Sequence, residues 1–561
     1  MPDNFRFPAF MVSALALILA CGYLFWIDTH ADLFVRSAFY FLLASSGLAA
    51  WNARALIYRL LTTQVGAMVA LVGAVTVISL TLGHDFRVLA DETNLLSTSR
   101  SLYLEKLLRN VTEQFFYYDS YHTQTSDHAH RPGLFAFLTA LLHHLTGFRW
   151  YNGFVLNTLV GLTTLMFAYQ FMLRYSGSLM AIACAGVIAA FPIFQLNITS
   201  SGFDALNMLM IGLVYGQIYR FLYKPSGQGF ELLCLLTLLA AQARYESALL
   251  AFPLLLIVIF KWRVLQGLSY SNLFPLLPLL ALPIAWQKLL SDSFANPGES
   301  VDVVFALEHL LVNAWQMVHF FALGQSNGQP VLNIIFYLAL AGIAAFLWQT
   351  VKNRSWFSPA RQAFYFCLLA QLLLTTGHLA YYYGDYHLAW INRLSQLQLL
   401  WLAPFAAYAL VLASRLARPA QARVAVFFVC GALFITGNTQ ALNNASGKSL
   451  TLFKEFKYAR HYLQDHFPPE TTLVISDRSG MYAALGYSAI NSGTARNRFE
   501  SLQNNLDWGL YQDIILLVKR PHEFRPHPLE AHFTARELAR FQVTAGEHIA
   551  IIELGTTPTA P

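Results

Sequence analysis

Two adjacent carboxylates, Asp91 and Glu92, open the polar stretch that runs from His84 to Pro132. A carboxylate held within hydrogen-bond reach of a substrate hydroxyl can take its proton as a general base, which makes this pair the candidate catalytic residues. The competing reading is a hydrated pair that caps the amphipathic stretch 94–110. Toward the other end of the stretch Asp119, His122, Asp127, His128 and His130 crowd together ahead of Arg131. His128 and His130 could ligate a divalent metal, but no helical His-x3-His spacing supports this, and hydrogen-bonding or hydrated-loop roles compete with it. No other cofactor is suggested.

Further along, Ser201-Gly202-Phe203-Asp204 places an acid where a helix begins, a position that favours negative charge. Arg244-Tyr245-Glu246 sits between two short apolar runs, as an internal ion pair or as a ligand site. The turn from Tyr381 to Arg393 carries Asp385 among aromatics that suit a membrane–water interface. Arg393 then opens an apolar run, where a guanidinium could hold phosphate oxygens in its planar fork. Arg131, Asp204, Arg244, Glu246, Asp385 and Arg393 are therefore the candidate substrate-binding residues.

The elements that must position these groups are apolar. Of 561 residues 56% are hydrophobic and 12% charged, with a mean hydropathy of +0.46. Soluble proteins carry roughly 25% charged residues, so lipid is the solvent for much of this chain. The net charge of +6 is not gathered into a basic patch with interleaved aromatics, which argues against nucleic acid as a partner. Cys21, Cys184, Cys234, Cys367 and Cys430 all fall in apolar runs without metal or redox spacing.

Apolar runs near 8–27, 33–51, 61–83, 152–173, 178–196, 204–222, 229–243, 247–260, 271–290, 329–350, 362–383, 394–413 and 424–437 predict about thirteen transmembrane helices. With the N-terminus in the cytoplasm, Arg54, Arg59, Arg174, Arg220, Lys224, Lys261, Arg263, Lys352, Arg354, Arg361, Arg415, Arg418 and Arg423 all fall on the cytoplasmic side. Asp91, Glu92, Asp204, Glu246 and Asp385 fall on the other. Two apolar segments, 133–147 and 301–321, read as interfacial or partly re-entrant helices on the outer face that do not span. From 438 the composition changes. Leu473–Ser476, Asp513–Val518 and Ile549–Leu554 predict strands, and Lys454–His466 and Thr534–Arg540 predict helices. The expected fold is thus an α-helical polytopic membrane protein with a small C-terminal α/β domain, 438–561, outside the membrane.

The order of these pieces resembles the GT-C superfamily of polytopic glycosyltransferases, and within it the protein mannosyltransferase and lipid A aminoarabinose transferase group. The likeness is carried by Asp91-Glu92 in the first large outer loop and by Arg131-Pro132-Gly133-Leu134-Phe135 opening a short apolar helix. Gly147-Phe148-Arg149-Trp150-Tyr151-Asn152, Ser201-Gly202-Phe203-Asp204-Ala205 and Ala243-Arg244-Tyr245-Glu246 add to it. Gly133 departs from the group, which typically has a second proline there.

The resemblance implies two added N-terminal helices over 1–60 and a core over 61–437 with an outer loop at 84–151. It implies a polyprenyl-phosphate-linked sugar donor, a lipid, glycan or protein acceptor, and membrane lipids as partners. Asp91 would be the acid–base residue, acting at the outer face of a bacterial inner membrane. A polytopic transporter would instead place ionisable groups near the bilayer midplane on broken helices in repeated halves. A lipid-linked glycan polymerase, ligase or flippase would bind similar lipids without needing the Asp91 loop.

Overall fold

The computed structural model describes residues 3–24, 31–62, 64–125, 129, 131–282, 306–323, 330–353, 358–388, 391–415, 419–447, 451–521, 527–544 and 546–555. The chain divides into two compact units, one of residues 1–87, 132–135 and 153–445, the other of residues 88–131, 136–152 and 446–561. The sequence reading keeps the loop 84–151 with the core and begins a separate domain at 438. In the structure most of that loop groups with the C-terminal residues.

The first unit is helical. Among the described residues seven helices are long and apolar enough to cross a membrane: Val65–Leu82, Asn152–Ser176, Asp204–Tyr223, Pro330–Lys352, Pro359–Ala380, Asn392–Ser414 and Gln421–Ala445. The pair Ser178–Ala190 and Pro192–Ile198, bent by 72°, supplies an eighth if counted as one span. The run 178–196 is therefore not the single straight helix expected. Pro192 has no N–H to donate and its ring crowds the preceding turn, so the helix breaks ahead of it. Shorter apolar helices cover Arg6–Leu17, Gly227–Ala243 and Tyr245–Phe260 in this unit. The described part of the run expected at 271–290 forms a 3-10 helix over Phe274–Ala281, with Pro275 and Pro278 removing two backbone donors, and 283–290 lie outside the described residues.

Small residues set the closest helix approaches, as expected where packing rather than hydrophobicity joins helices in lipid. A Cβ on Gly342 would stand 2.0 Å from the Phe405 carbonyl oxygen, and one on Gly437 1.9 Å from that of Ala190. The helix Leu307–Ala322 covers most of the segment expected to be interfacial.

The second unit is built on a seven-stranded sheet. Its strands are β1 (Val111–Tyr117), β2 (Ser120–Thr125), β3 (Thr472–Ile475), β4 (Ser488–Ile490), β5 (Asp513–Pro521), β6 (Thr534–Thr544) and β7 (Glu547–Gly555), in the order β2-β1-β4-β3-β5-β7-β6. β4, β3 and β5 are parallel, and the outer pairings are antiparallel. Helices Ser479–Leu485, Ser492–Asn497 and Phe499–Asp507 connect the parallel strands.

The hairpin β1–β2 comes from the loop between the helices Val65–Leu82 and Asn152–Ser176, yet it completes this sheet. Phe115 lies in the core with Leu473, Ile490, Leu502 and Ile514. The Phe116 N–H donates to the Tyr511 hydroxyl oxygen at 2.7 Å. Asn505 Nδ2 donates to the Phe116 carbonyl at 2.6 Å.

Thr534–Arg540, expected to be helical, forms part of β6 instead. The helix-forming residues of TARELAR are outweighed by nine-residue pairing with β7 and a mostly exposed edge face. Thr472–Ile475, Asp513–Pro521 and Glu547–Gly555 are strands and Thr451–His466 is a helix, in line with expectation.

Candidate functional site

In the first unit Asp204 begins the helix Asp204–Tyr223, just after the bend at Pro192 and the turn 199–203. That turn is held from beneath by Asn157, whose Nδ2 donates to the carbonyls of Ser200 at 2.8 Å and Gly202 at 2.6 Å. Gly153 faces the same turn so closely that a Cβ there would meet Ser201 Oγ at 2.1 Å. Asp204 is thereby fixed where two guanidiniums reach it. Arg244 pairs with one carboxylate oxygen, and Arg393 Nη1 lies 3.3 Å from the other.

Arg244 also forks onto Glu246, with Nε to Oε2 at 3.1 Å and Nη2 to Oε1 at 3.0 Å. The ring of Phe203 stacks against both cations, 4.9 Å from Arg244 and 5.7 Å from Arg393. Two arginines thus face two carboxylates, and the group is formally neutral. The side chains of Asp204, Arg244 and Arg393 are 7%, 10% and 12% exposed.

Burying charges costs several kcal/mol per ion even when they are paired, and an apolar pair of similar volume would hold the helices as well. In membrane helices such groups are characteristically functional. Four of the sequence-predicted residues, Asp204, Arg244, Glu246 and Arg393, therefore form one network, although Arg393 lies 149 positions beyond Arg244 in the numbering.

His378, which spacing alone did not single out, borders the same group with Asn207 and Gln396. It is 3% exposed and neither ring nitrogen has a hydrogen-bond partner among the described residues. Its sequence signal is faint: a histidine three residues before the aromatic turn. Asp385 lies in that turn but not in the network. Its Oδ1 accepts from the His387 N–H at 2.9 Å, a local turn contact.

One helical turn past Asp204, Met208 borders both this group and a larger apolar cavity of about 630 Å3. The cavity follows the helix from Met208 to Tyr219, roughly 16 Å at 1.5 Å per residue. Phe167, Phe171, Leu400 and Trp401 are among its walls, and Arg361 stands at the end remote from Asp204.

In the second unit Asp91 and Glu92 lie in the first turn of the helix Leu89–Leu104, and both are buried. The structure thus gives no hydrated pair. Glu92 Oε1 accepts from the Val88 N–H at 2.7 Å and so satisfies a free donor at the helix start. Asp91 pairs with Arg131, whose side chain is 39% exposed against 7% for Asp91. The two ends of the polar stretch are therefore joined by an ion pair across forty residues of sequence.

His143, on the short apolar helix Gly133–Thr146, is also buried there. Its Nδ1 accepts from Asn152 Nδ2 at 2.8 Å, while Nε2 lies 3.1 Å from Ser99 Oγ. Since Ser99 donates its own proton to the Leu96 carbonyl, the histidine Nε2–H donates to Ser99. This arrangement needs a neutral ring. Burial lowers the His143 pKa to about 4. His128 and His130 lie outside the described residues, and among the described residues no group of three or more His, Cys, Asp or Glu could hold a metal ion.

No protein-family model matches the sequence, and no curated protein matches it by sequence. By structure the chain is similar to ArnT from Cupriavidus metallidurans bound to undecaprenyl phosphate. The identity is 12%, the match covers 87% of this chain and 98% of that one, and the TM-score is 0.51. It is also similar to the Archaeoglobus fulgidus oligosaccharyltransferase, at 13% identity over 81% of this chain and 69% of that one, with a TM-score of 0.43. At 12% identity the likeness to ArnT is one of fold. The fold is the polytopic GT-C fold that the sequence motifs resemble.

Proposed function

We propose that the protein is a membrane glycosyltransferase that moves a sugar from a polyprenyl-phosphate-linked donor to an acceptor hydroxyl on the extracytoplasmic face. One observation carries this reading: the buried Arg244–Asp204–Arg393 group stands at the head of an apolar cavity. Its chemistry suits an amphiphile with an anionic head and an isoprenoid tail. The donor phosphate would take over the guanidinium contacts that Asp204 now makes, with its oxygens held in the arginine forks. The tail would follow the cavity from Met208. Glu246 keeps the Arg244 side chain aligned, and His378 is a further donor beside the phosphate. The solved ArnT complex, with its bound undecaprenyl phosphate, supports the same class of ligand for this fold.

Asp91 is the assigned base. It takes the proton of the acceptor hydroxyl as that oxygen forms its bond to the anomeric carbon. The bond from that carbon to the phosphate oxygen breaks, and polyprenyl phosphate leaves with the electron pair. Attack from the face opposite the leaving group inverts the anomeric centre. Charge grows on the departing phosphate, where fixed guanidiniums stabilise it most. Arg131 orients the Asp91 carboxylate, while Glu92 serves the helix start. Asp385 is assigned to the acceptor or the sugar hydroxyls.

The head-group site is tested with Arg393→Lys. A lysine keeps the charge but loses the planar fork, so binding of undecaprenyl phosphate to the purified protein should weaken by about tenfold or more. Unchanged affinity would remove the phosphate from this site.

A further inference from the structure

The sheet of the second unit reverses its strand order at β3. The chain leaves β3 through the helix Ser479–Leu485 to β4 on one side, then crosses through Ser492–Asn497 and Phe499–Asp507 to β5 on the other. Two connections that depart in opposite directions leave a crevice at the carboxyl ends of the strands they flank, and ligands of open α/β sheets bind there. A cavity of about 150 Å3 lies at that place. Ser476, Asp477 and Arg478 from the end of β3 line it, with Lys519 of β5 and Glu455 from the helix Thr451–His466.

The charges of this crevice are mixed. Glu455, its side chain 10% exposed, lies 3.5 Å from Arg478 and 3.2 Å from Lys519, whose side chains are 46% and 45% exposed. A phosphate entering here meets the carboxylates of Glu455 and Asp477, and a simple cation meets Arg478 and Lys519. Hydroxyl groups donate as well as accept, so a polyhydroxylated ligand satisfies both signs at once. The rings of Phe456 and Tyr482, 5.5 Å apart, give the crevice an apolar wall for the C–H face of such a ligand. The volume is about half the lower end of the range for drug-sized ligands, which suits one ring rather than a chain.

We propose that this crevice binds a single sugar residue of a neutral or zwitterionic glycan, and that this glycan is the acceptor. Naming it the acceptor rests on the glycosyl-transfer reading; the binding itself does not. The test uses the full-length protein in lipid nanodiscs. Saturation-transfer NMR is recorded with methyl glycosides of glucose, galactose, mannose, N-acetylglucosamine and arabinose, and phosphorus line broadening with inorganic phosphate. At least one glycoside should receive saturation from the protein. Glu455→Gln and Arg478→Met should each weaken its affinity by about tenfold, the loss of one charge-assisted hydrogen bond, with the thermal midpoint kept.

Arg393→Lys should bind that glycoside as the wild type does, so a failed donor site and a failed sugar site give different results. Glu455→Gln is nearly isosteric, and Arg478 is half-exposed, so at least one of the two folded variants reports on the crevice. No glycoside saturated by the wild type, saturation unaltered in a folded variant, or phosphate as the sole ligand would each overturn the proposal.

Discussion

At the scale of single residues, the structure turns a set of scattered acids and arginines into two distinct arrangements. Asp204, Arg244, Glu246 and Arg393 share one buried network, while Asp91 is held by Arg131. The residue types were legible because charged groups are rare in so apolar a chain. The partners were not, because contacts between residues forty or more positions apart depend on how the helices pack. His378 was missed for the opposite reason: a single histidine in an apolar run carries no spacing signal. His143 yields a prediction that is independent of the chemistry. Its folded pKa of about 4 lies below the ordinary 6.5, so the unfolded chain binds the extra proton first on acidification. Its contribution is complete above 6.5 and lost as the pH falls toward 4, by up to about 1.4 kcal/mol per pH unit. Thermal unfolding across that window should show a slope that His143→Gln flattens. Equal slopes in both proteins would contradict the neutral, twice-bonded ring.

At the scale of elements, the hairpin β1–β2 is the clearest departure from what periodicity conveys. Its sequence, VTEQFFYYDSYHTQT, alternates poorly, and its burial depends on strands more than 350 positions later. Phe115 is 3% exposed in the core of that sheet. Phe115→Ala should therefore destabilise the second unit by about 3–5 kcal/mol, the usual cost of a phenylalanine cavity. Denaturant unfolding followed by Trp508 fluorescence measures this, and a loss below about 1 kcal/mol would place the hairpin outside the core. Of the thirteen apolar runs, seven form helices long and apolar enough to cross a membrane among the described residues, where period and length both point the same way. The breaks were harder: Pro192 bends one run by 72°, and Pro275 and Pro278 tighten another into a 3-10 helix. TARELAR misled because an edge strand with a solvated face can carry helix-forming residues at little cost.

At the scale of the whole molecule, the chain is an integral multi-pass membrane protein with the GT-C fold. A transporter would need ionisable groups deployed on repeated halves; here Asp204, Arg244, Glu246 and Arg393 gather at one helix start, beside an apolar cavity. The central claim is that this machinery breaks a sugar–phosphate bond, and turnover tests it most directly. The purified protein, given polyprenyl-phosphate sugars and an envelope extract as acceptor, should release polyprenyl phosphate. Asp91→Asn should slow that release by about 10²–10⁴-fold, the span of a lost general base, while retaining donor binding. Release by Asp91→Asn at the wild-type rate would contradict the account.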